Sequence, residues 1–267
     1  MKAWFQGLLQ QPWPDKAMLV EGFKRAVITY TRIPLKHEWR DDTPHVQAVS
    51  LLPLVGALVA LLSGWPLLFD LTPAIIALLM LLSSVLLTGA FHEDGLMDSL
   101  DGLVGGWTQE KRLEIMKDSR LGSYAAIGIW FTLTLKWLLL TQLLSLSLST
   151  WMLLSLYVFT HVLARVTPIL LMHRLPYVTL GQSKAQAMIA KLSSYECLLV
   201  ALPVVMLSSV LFAWHIGTFL CLLVGLLAVL LERYLKAKIA GFNGDTLGAS
   251  EQLAELLLLF SLVIYFS

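Results

Sequence analysis

The chain has 267 residues, of which 57% are hydrophobic and only 14% charged, and its mean hydropathy is +0.75. Soluble domains carry roughly 25% charged residues, so this composition excludes an ordinary soluble protein. The formal net charge of +1, with no basic stripe, excludes a nucleic-acid binder.

In chain order, residues 1–46 carry an amphipathic pattern. Trp4, Phe5, Leu8 and Leu9 are followed by Leu19, Val20, Phe23, Val27 and Tyr30, with Lys24 and Arg25 between them. That pattern predicts a helix on a membrane surface. No uninterrupted apolar core precedes a small-residue cleavage site, so no signal peptide is expected. Apolar stretches near the ~20 residues that cross a bilayer then recur, at 47–64, 72–91, 124–143, 151–171, 196–213, 216–231 and 252–266. The expected fold is all-α, a polytopic helical membrane protein with about seven transmembrane helices. It forms a single integral membrane domain over 1–267, with 1–46 as the N-terminal amphipathic segment and 92–123 as a catalytic loop.

All but two of the 19 Lys and Arg fall in 1–46, 92–123, 172–195 and 232–251. The exceptions, Lys136 and Arg165, sit inside predicted spans. The positive-inside rule then places the N-terminus and all three polar loops in the cytoplasm, and an odd number of spans leaves the C-terminus outside. Cys197 and Cys221 lie in apolar spans without a ligand-type neighbour at metal spacing, so they read as small buried hydrophobes. No internal repeat or separate soluble domain is visible.

The chemistry concentrates where the second span ends. Residues 92–102 read His-Glu-Asp-Gly-Leu-Met-Asp-Ser-Leu-Asp-Gly. On a helix, Asp94, Asp98 and Asp101 are spaced i, i+4, i+7 and share one face. Like charges stacked so closely repel unless a hard cation neutralises them. Oxygen ligands without a nearby Cys favour Mg²⁺ or Mn²⁺ over zinc. His92 is a candidate base or ligand, although a lone histidine at such a place more often packs. Glu110, Lys111, Arg112 and Glu114 read as a solvated helix face.

Beyond them, Lys117-Asp118-Ser119-Arg120-Leu121-Gly122 sets two cations, a carboxylate and a hydroxyl beside a glycine. Phosphate oxygens want forked Arg donors and a Lys point charge, and Asp118 would add a metal ligand. In the last polar loop Asp245 and Thr246 resemble a helix N-cap. Glu255 falls within the first turns of the final span, where an ionisable residue is a functional candidate by default. Arg165 invites the same reading, with a phosphate-facing role expected. Lys136 suggests only a cation–π contact with Trp137 or Trp130. Together the three polar motifs fit phosphoryl transfer with bound divalent metals, acting on a diphosphate.

The run FHEDGLMDSLDG, followed by EIMKDSRLGSYA and GDTLGA, resembles the cobalamin synthase (adenosylcobinamide-GDP ribazoletransferase) family, as do Tyr30-Thr31-Arg32-Ile33-Pro34 and Pro53-Leu54-Val55-Gly56. The resemblance extends from about residue 30 to 249, with the acidic and GDTLGA runs its specific parts. It implies transfer of the phosphocobinamide group of adenosylcobinamide-GDP onto α-ribazole or its 5′-phosphate. GMP leaves, Mg²⁺ is required, and the enzyme sits in a bacterial inner membrane with its site toward the cytoplasm. Asp94, Asp98, Asp101 and Asp118 would then ligate metal, with Asp94, Asp98 and His92 catalytic. Lys117, Arg120, Arg165, Arg32, Asp245 and Glu255 would bind substrate. Asp98-Ser99-Leu100-Asp101-Gly102 also resembles the opening of the CDP-alcohol phosphotransferase motif, but Gly105-Gly106 stands where that family has Ala-Arg. A cation transporter is the third reading, opposed by acids clustered at one edge rather than at the midplane. The oligomeric state and the choice between α-ribazole and its phosphate stay open.

Overall fold

The computed structural model describes residues 13–36, 44–180 and 191–267; Trp4, Phe5, Leu8 and Leu9 of the expected surface helix lie outside the described residues. Within them, eleven α-helices follow one another. The first five are α1 (Lys16–Tyr30), α2 (Leu52–Ser63), α3 (Pro73–Thr88), α4 (Phe91–Gly105) and α5 (Gln109–Met116). Then come α6 (Ser123–Leu144), α7 (Thr150–Ala164), α8 (Val166–Arg174), α9 (Ser194–Leu211), α10 (Trp214–Ile239) and α11 (Gly244–Phe266). Short 3-10 turns at Ala48–Leu51 and Trp65–Leu68 extend α2 at both ends.

Six of these segments are long and apolar enough to cross a bilayer, and the pair α3 and α4 makes a seventh candidate. The expected polytopic architecture is therefore present, with differences in detail. The stretch expected at 216–231 belongs to a helix of 26 residues. The last span begins at Gly244 rather than 252, which carries Asp245, Glu251 and Glu255 onto α11. The polar 92–123 segment is mostly two helices, α4 and α5. Helices apolar on nearly every side belong in lipid: α6, α9 and α10 turn Phe131, Leu138, Val210, Leu222 and Leu226 outward.

Two spans form the interior. The α7–α8 span and α11 are 78% and 61% buried, against 17% for α9 and 22% for α10. Pro168 explains why the former is broken: it cannot donate to the Ala164 carbonyl, and the helix is interrupted at Arg165. α11 packs on α4, α6, α7, α8 and α10. It starts cleanly because Asn243 accepts from the Thr246 amide and the Thr246 hydroxyl accepts from the Asn243 amide, both at 3.0 Å. The N-cap is thus Asn243, not Asp245 or Thr246.

α3 and α4 meet at an elbow of 87°. Gly89 (φ 66°) and Ala90 (φ 58°) are both left-handed there, a conformation that Gly adopts freely and that ends helices. A side chain at Gly89 would also strike Arg32, whose Nε lies 2.3 Å from an ideal Cβ position. The elbow throws α4 across the start of α11, where glycines let the two backbones touch. An added Cβ at Gly95 would come within 2.8 Å of the Asp245 carbonyl oxygen, and one at Gly248 within 3.1 Å of the His92 carbonyl oxygen. Gly95→Ala therefore has no flexible neighbour to displace and should destabilise the protein by roughly 1–3 kcal/mol. A lowered thermal unfolding midpoint in detergent, with Gly225→Ala as the uncrowded control, is the expected result.

Candidate active site

The acidic stretch folds as a helix, so its aspartates share a face as their spacing requires. Asp94, Asp98 and Asp101 line a cavity of about 250 Å³ together with Lys117, Asp118, Ser119 and Arg120. Two of the sequence motifs thus form opposite walls of one site. The wall from α4 offers three carboxylates beside the Met97 thioether, with Asp94 exposed and Asp98 half-buried. The other wall follows α5, which Thr108 caps by accepting from the Lys111 amide at 3.2 Å.

On that wall, Arg120 Nε donates to both Asp118 oxygens at 3.0 Å. These hydrogen bonds hold the Asp118 carboxyl down to about 2. Asp118 and Arg120 are therefore partners of each other, and an incoming metal or phosphate would exchange with that pair. Lys117 Nζ donates to the Leu180 carbonyl, which pins the Leu175–Leu180 segment to the cavity.

Asp101 has a second task. Its carboxylate accepts from the amides of Gly122 (2.7 Å) and Ala125 (2.9 Å), capping α6 from across the cavity. A side chain at 122 would push the Asp101 carboxylate off these amides, since a Cβ there would lie 2.4 Å from an Asp101 oxygen. Asp245 reaches the site from α11: its backbone abuts Gly95, it accepts from Asn243 Nδ2 at 2.9 Å, and it is within electrostatic reach of Asp98 and Asp94.

The remaining candidates lie elsewhere. His92 occupies the buried side of α4, its Nδ1 3.7 Å from a Glu251 oxygen, and does not line the cavity. Arg32 lines a separate apolar groove with Ile33, Pro34, Leu62, Trp65, Leu86 and Leu87. Arg165 is 1% exposed, and its Nη1 lies 2.9 Å from Glu251 and 3.3 Å from Glu255. The phosphate-facing role expected of Arg165 is thereby replaced by an internal ion pair, because the guanidinium has two carboxylates within reach and no path to the cavity. Glu255 likewise faces inward, to Lys136, His161 and Arg165. Arg112 is not a solvated charge either: it donates to the carbonyls of Lys238 (2.7 Å) and Trp107 (3.2 Å).

Sequence reasoning missed this buried cluster as a unit. Lys136, expected at most to stack on tryptophan, donates instead to Glu255 and to Gln252 Oε1 (2.7 Å). Gln252 Nε2 donates to Glu93 (3.1 Å) and Glu251 (3.1 Å). The available signal was the opposite charge of Lys136 and Arg165 against Glu251 and Glu255, with His161 and Arg165 four residues apart on one helix face. His161, Glu251 and Glu255 are close enough to hold a metal. Arg165 Nη1 sits among them, 3.0 Å from His161 Nδ1, so the cation of this cluster is the protein's own.

Breaking a buried ion pair from one side costs about 3–5 kcal/mol, whereas an exposed pair contributes ~1 kcal/mol or less. Lys136→Met should therefore sharply lower the unfolding midpoint in detergent, while Lys111→Met, which loses an exposed pair with Glu114, should leave it almost unmoved.

Comparison with known proteins identifies the family. The family described as Cobalamin-5-phosphate synthase matches residues 22–263. A Shewanella piezotolerans protein named adenosylcobinamide-GDP ribazoletransferase is 37% identical over 260 residues, covering 95% of this chain and 98% of the relative. A protein of the same name from Shewanella pealeana is 36% identical over 251 residues, covering 92% and 95%. No solved structure matches. With residues 22–263 of the chain matched by the family, and with such relatives alongside, the chain belongs to the cobalamin-5-phosphate synthase family.

Proposed function

We propose that the protein is an adenosylcobinamide-GDP ribazoletransferase, joining adenosylcobinamide-GDP to α-ribazole or its 5′-phosphate with release of GMP. The observation that carries the reading is the single cavity with carboxylates on one wall and Lys117 and Arg120 on the other. A diphosphate needs both: cations for its free oxygens and metal ligands for the ion that neutralises it. The membrane setting and the relatives' names support the same assignment.

Mg²⁺ fits the donor set. Asp94 and Asp98 present oxygen atoms to open space, the arrangement a hard, partly hydrated cation accepts. Asp101 contributes less, since both its oxygens already hold amides, and Asp118 joins once Arg120 turns to substrate. When bound, the ion supplies charge neutralisation at the diphosphate. The residues do the rest. Lys117 and Arg120 bind the non-bridging oxygens and orient the diphosphate. The acceptor hydroxyl attacks the phosphorus that carries the cobinamide side, the P–O bond to GMP breaks, and GMP departs with the electron pair. A cavity carboxylate, Asp94 or Asp98, takes the hydroxyl proton. Asp245, at the head of α11, orients the acceptor.

Purified protein given adenosylcobinamide-GDP, α-ribazole phosphate and Mg²⁺ should release GMP only when the ribazole is present. Asp94→Asn or Asp98→Asn keeps size and removes charge, and should lower turnover by about two orders of magnitude or more with the fold intact. GMP release without ribazole, or near-normal turnover in both variants at saturating Mg²⁺, would sink the assignment.

The site opens to the cytoplasm of a bacterial inner membrane, a placement supported by the Lys and Arg distribution. The soluble substrates then need no transport step. Single cysteines at Glu110 and Gly244, both exposed, in a background lacking Cys197 and Cys221, should resist an impermeant thiol reagent in intact cells and react in inverted vesicles. Labelling of intact cells at either position would reverse the topology.

A further inference from the structure

The Thr31-Arg32-Ile33-Pro34 element takes no part in the site above, yet Arg32 heads an open groove of about 410 Å³. Its amide donates to the Leu87 carbonyl at 2.7 Å, serving one of the carbonyls left open where α3 ends. Its side chain lies across the elbow glycine: an added Cβ at Gly89 would come 2.7 Å from Arg32 Cγ and 3.0 Å from its Cδ. The main chain and the aliphatic stem thus hold Arg32 in place, and the guanidinium is left over. It is exposed, and among the described residues no carboxylate pairs with it. Lys36, four residues on, adds a second exposed cation.

From that head the groove follows α3 for about one helical turn, from Leu87 and Leu86 to Ser83. Leu62 and Trp65, from the end of α2 and the turn after it, form the other side. Trp65 is fixed there: its Nε1 donates to Ser83 Oγ at 2.9 Å, and its ring stands edge-on to Phe69, with centroids 5.6 Å apart. Leu62, Trp65 and Leu86 are all exposed, on segments long and apolar enough to cross a bilayer. No acidic side chain lines the groove. It is an apolar trough with a free cation at its head.

We propose that the groove binds one anionic glycerophospholipid, its phosphodiester on Arg32 and part of one acyl chain along Leu86, Leu62 and Trp65. Charge chooses this occupant. A guanidinium offers paired donors that match two phosphate oxygens. Lys36 adds attraction for a headgroup with net negative charge and none for a zwitterionic one. The trough gives an acyl chain a hold that a free phosphate lacks. The bound lipid ties the 31–34 segment, the end of α2 and α3 together at the elbow that aims α4. The groove shares no residue with the acidic cavity, so the proposal stands or falls apart from the transferase reading.

Native mass spectrometry of the detergent-solubilised full chain, offered equal amounts of phosphatidylglycerol and phosphatidylcholine, reads the site directly. The wild type should retain one phosphatidylglycerol in preference to phosphatidylcholine. Its thermal unfolding midpoint should rise with phosphatidylglycerol and not with phosphatidylcholine. Arg32→Gln keeps the amide that serves Leu87 and should lower retention about fivefold, the share of one cation near a headgroup. Lys111→Gln, which removes an exposed cation of α5, should leave the preference unchanged. Leu86→Trp keeps the charge but fills the trough, so it should lose the lipid as well, and it decides the question if Arg32→Gln fails to fold. Equal retention of the two lipids, unchanged retention in Arg32→Gln or Leu86→Trp, or displacement by inorganic phosphate overturns the proposal, the last assigning Arg32 to a soluble anion. So does a dimer that forms without bound lipid and is lost in Leu86→Trp, which would give the groove to a second copy of the chain.

Discussion

Lys136 and Arg165 meet Glu251 and Glu255 inside an apolar bundle, and α6, the α7–α8 break and α11 are fastened to that meeting point. A charge in such surroundings is tolerable only when its partners are close and its hydrogen bonds complete. The bundle must therefore bring α6, the α7–α8 break and α11 together in one register. A shift of one turn in any of them would strand a lysine, a guanidinium or a carboxylate among leucines. Packing of apolar side chains alone, with lipid tails as competitors, would discriminate far less between registers.

That constraint passes to the acidic helix through neighbours in sequence. Glu93 and Asp94 are adjacent, so they point to different sides of α4. Glu93 is drawn inward by Gln252, and Gln252 is itself held by Lys136. With Glu93 anchored, Asp94 and Asp98 have little choice but to face the cavity. His92 reinforces the same rotation from the buried side, and Gly95 and Gly248 let α4 lie close enough for Gln252 to reach. The exposed aspartate face and the face that meets the buried ion cluster are thus two sides of one helix.

Much of this was legible in the sequence, and the rest was hidden for physical reasons. Span positions follow from apolar run length, which is local information. The shared face of Asp94, Asp98 and Asp101 follows from helical periodicity, again local. The role of Arg165 was not recoverable that way: its carboxylate partners lie 90 residues on at Glu255 and nearby at Glu251, and nothing in a single chain states which distant charges pair. Lys136 and Glu255, 119 residues apart, present the same difficulty. Arg112 was misread because its partners are main-chain carbonyls, which carry no side-chain signature. Arg32 lies close to Gly89 at the elbow, so the Thr-Arg-Ile-Pro element packs at the head of α4 without lining its cavity.

The elbow at Gly89 and Ala90 makes orientation a question of chain length. Downstream of it each residue advances α4 by about 100° of rotation, and the amides that Asp101 accepts fix the far end against α6. Between these two fixed points the number of residues decides which side chains see the cavity. A one-residue insertion or deletion there would bring hydrophobic side chains to the water-facing wall and turn aspartates toward α11. By contrast the turn at 69–72, which joins α2 to α3 on the opposite side of the bundle, has no such angular debt, and length changes could accumulate there without disturbing the chemistry.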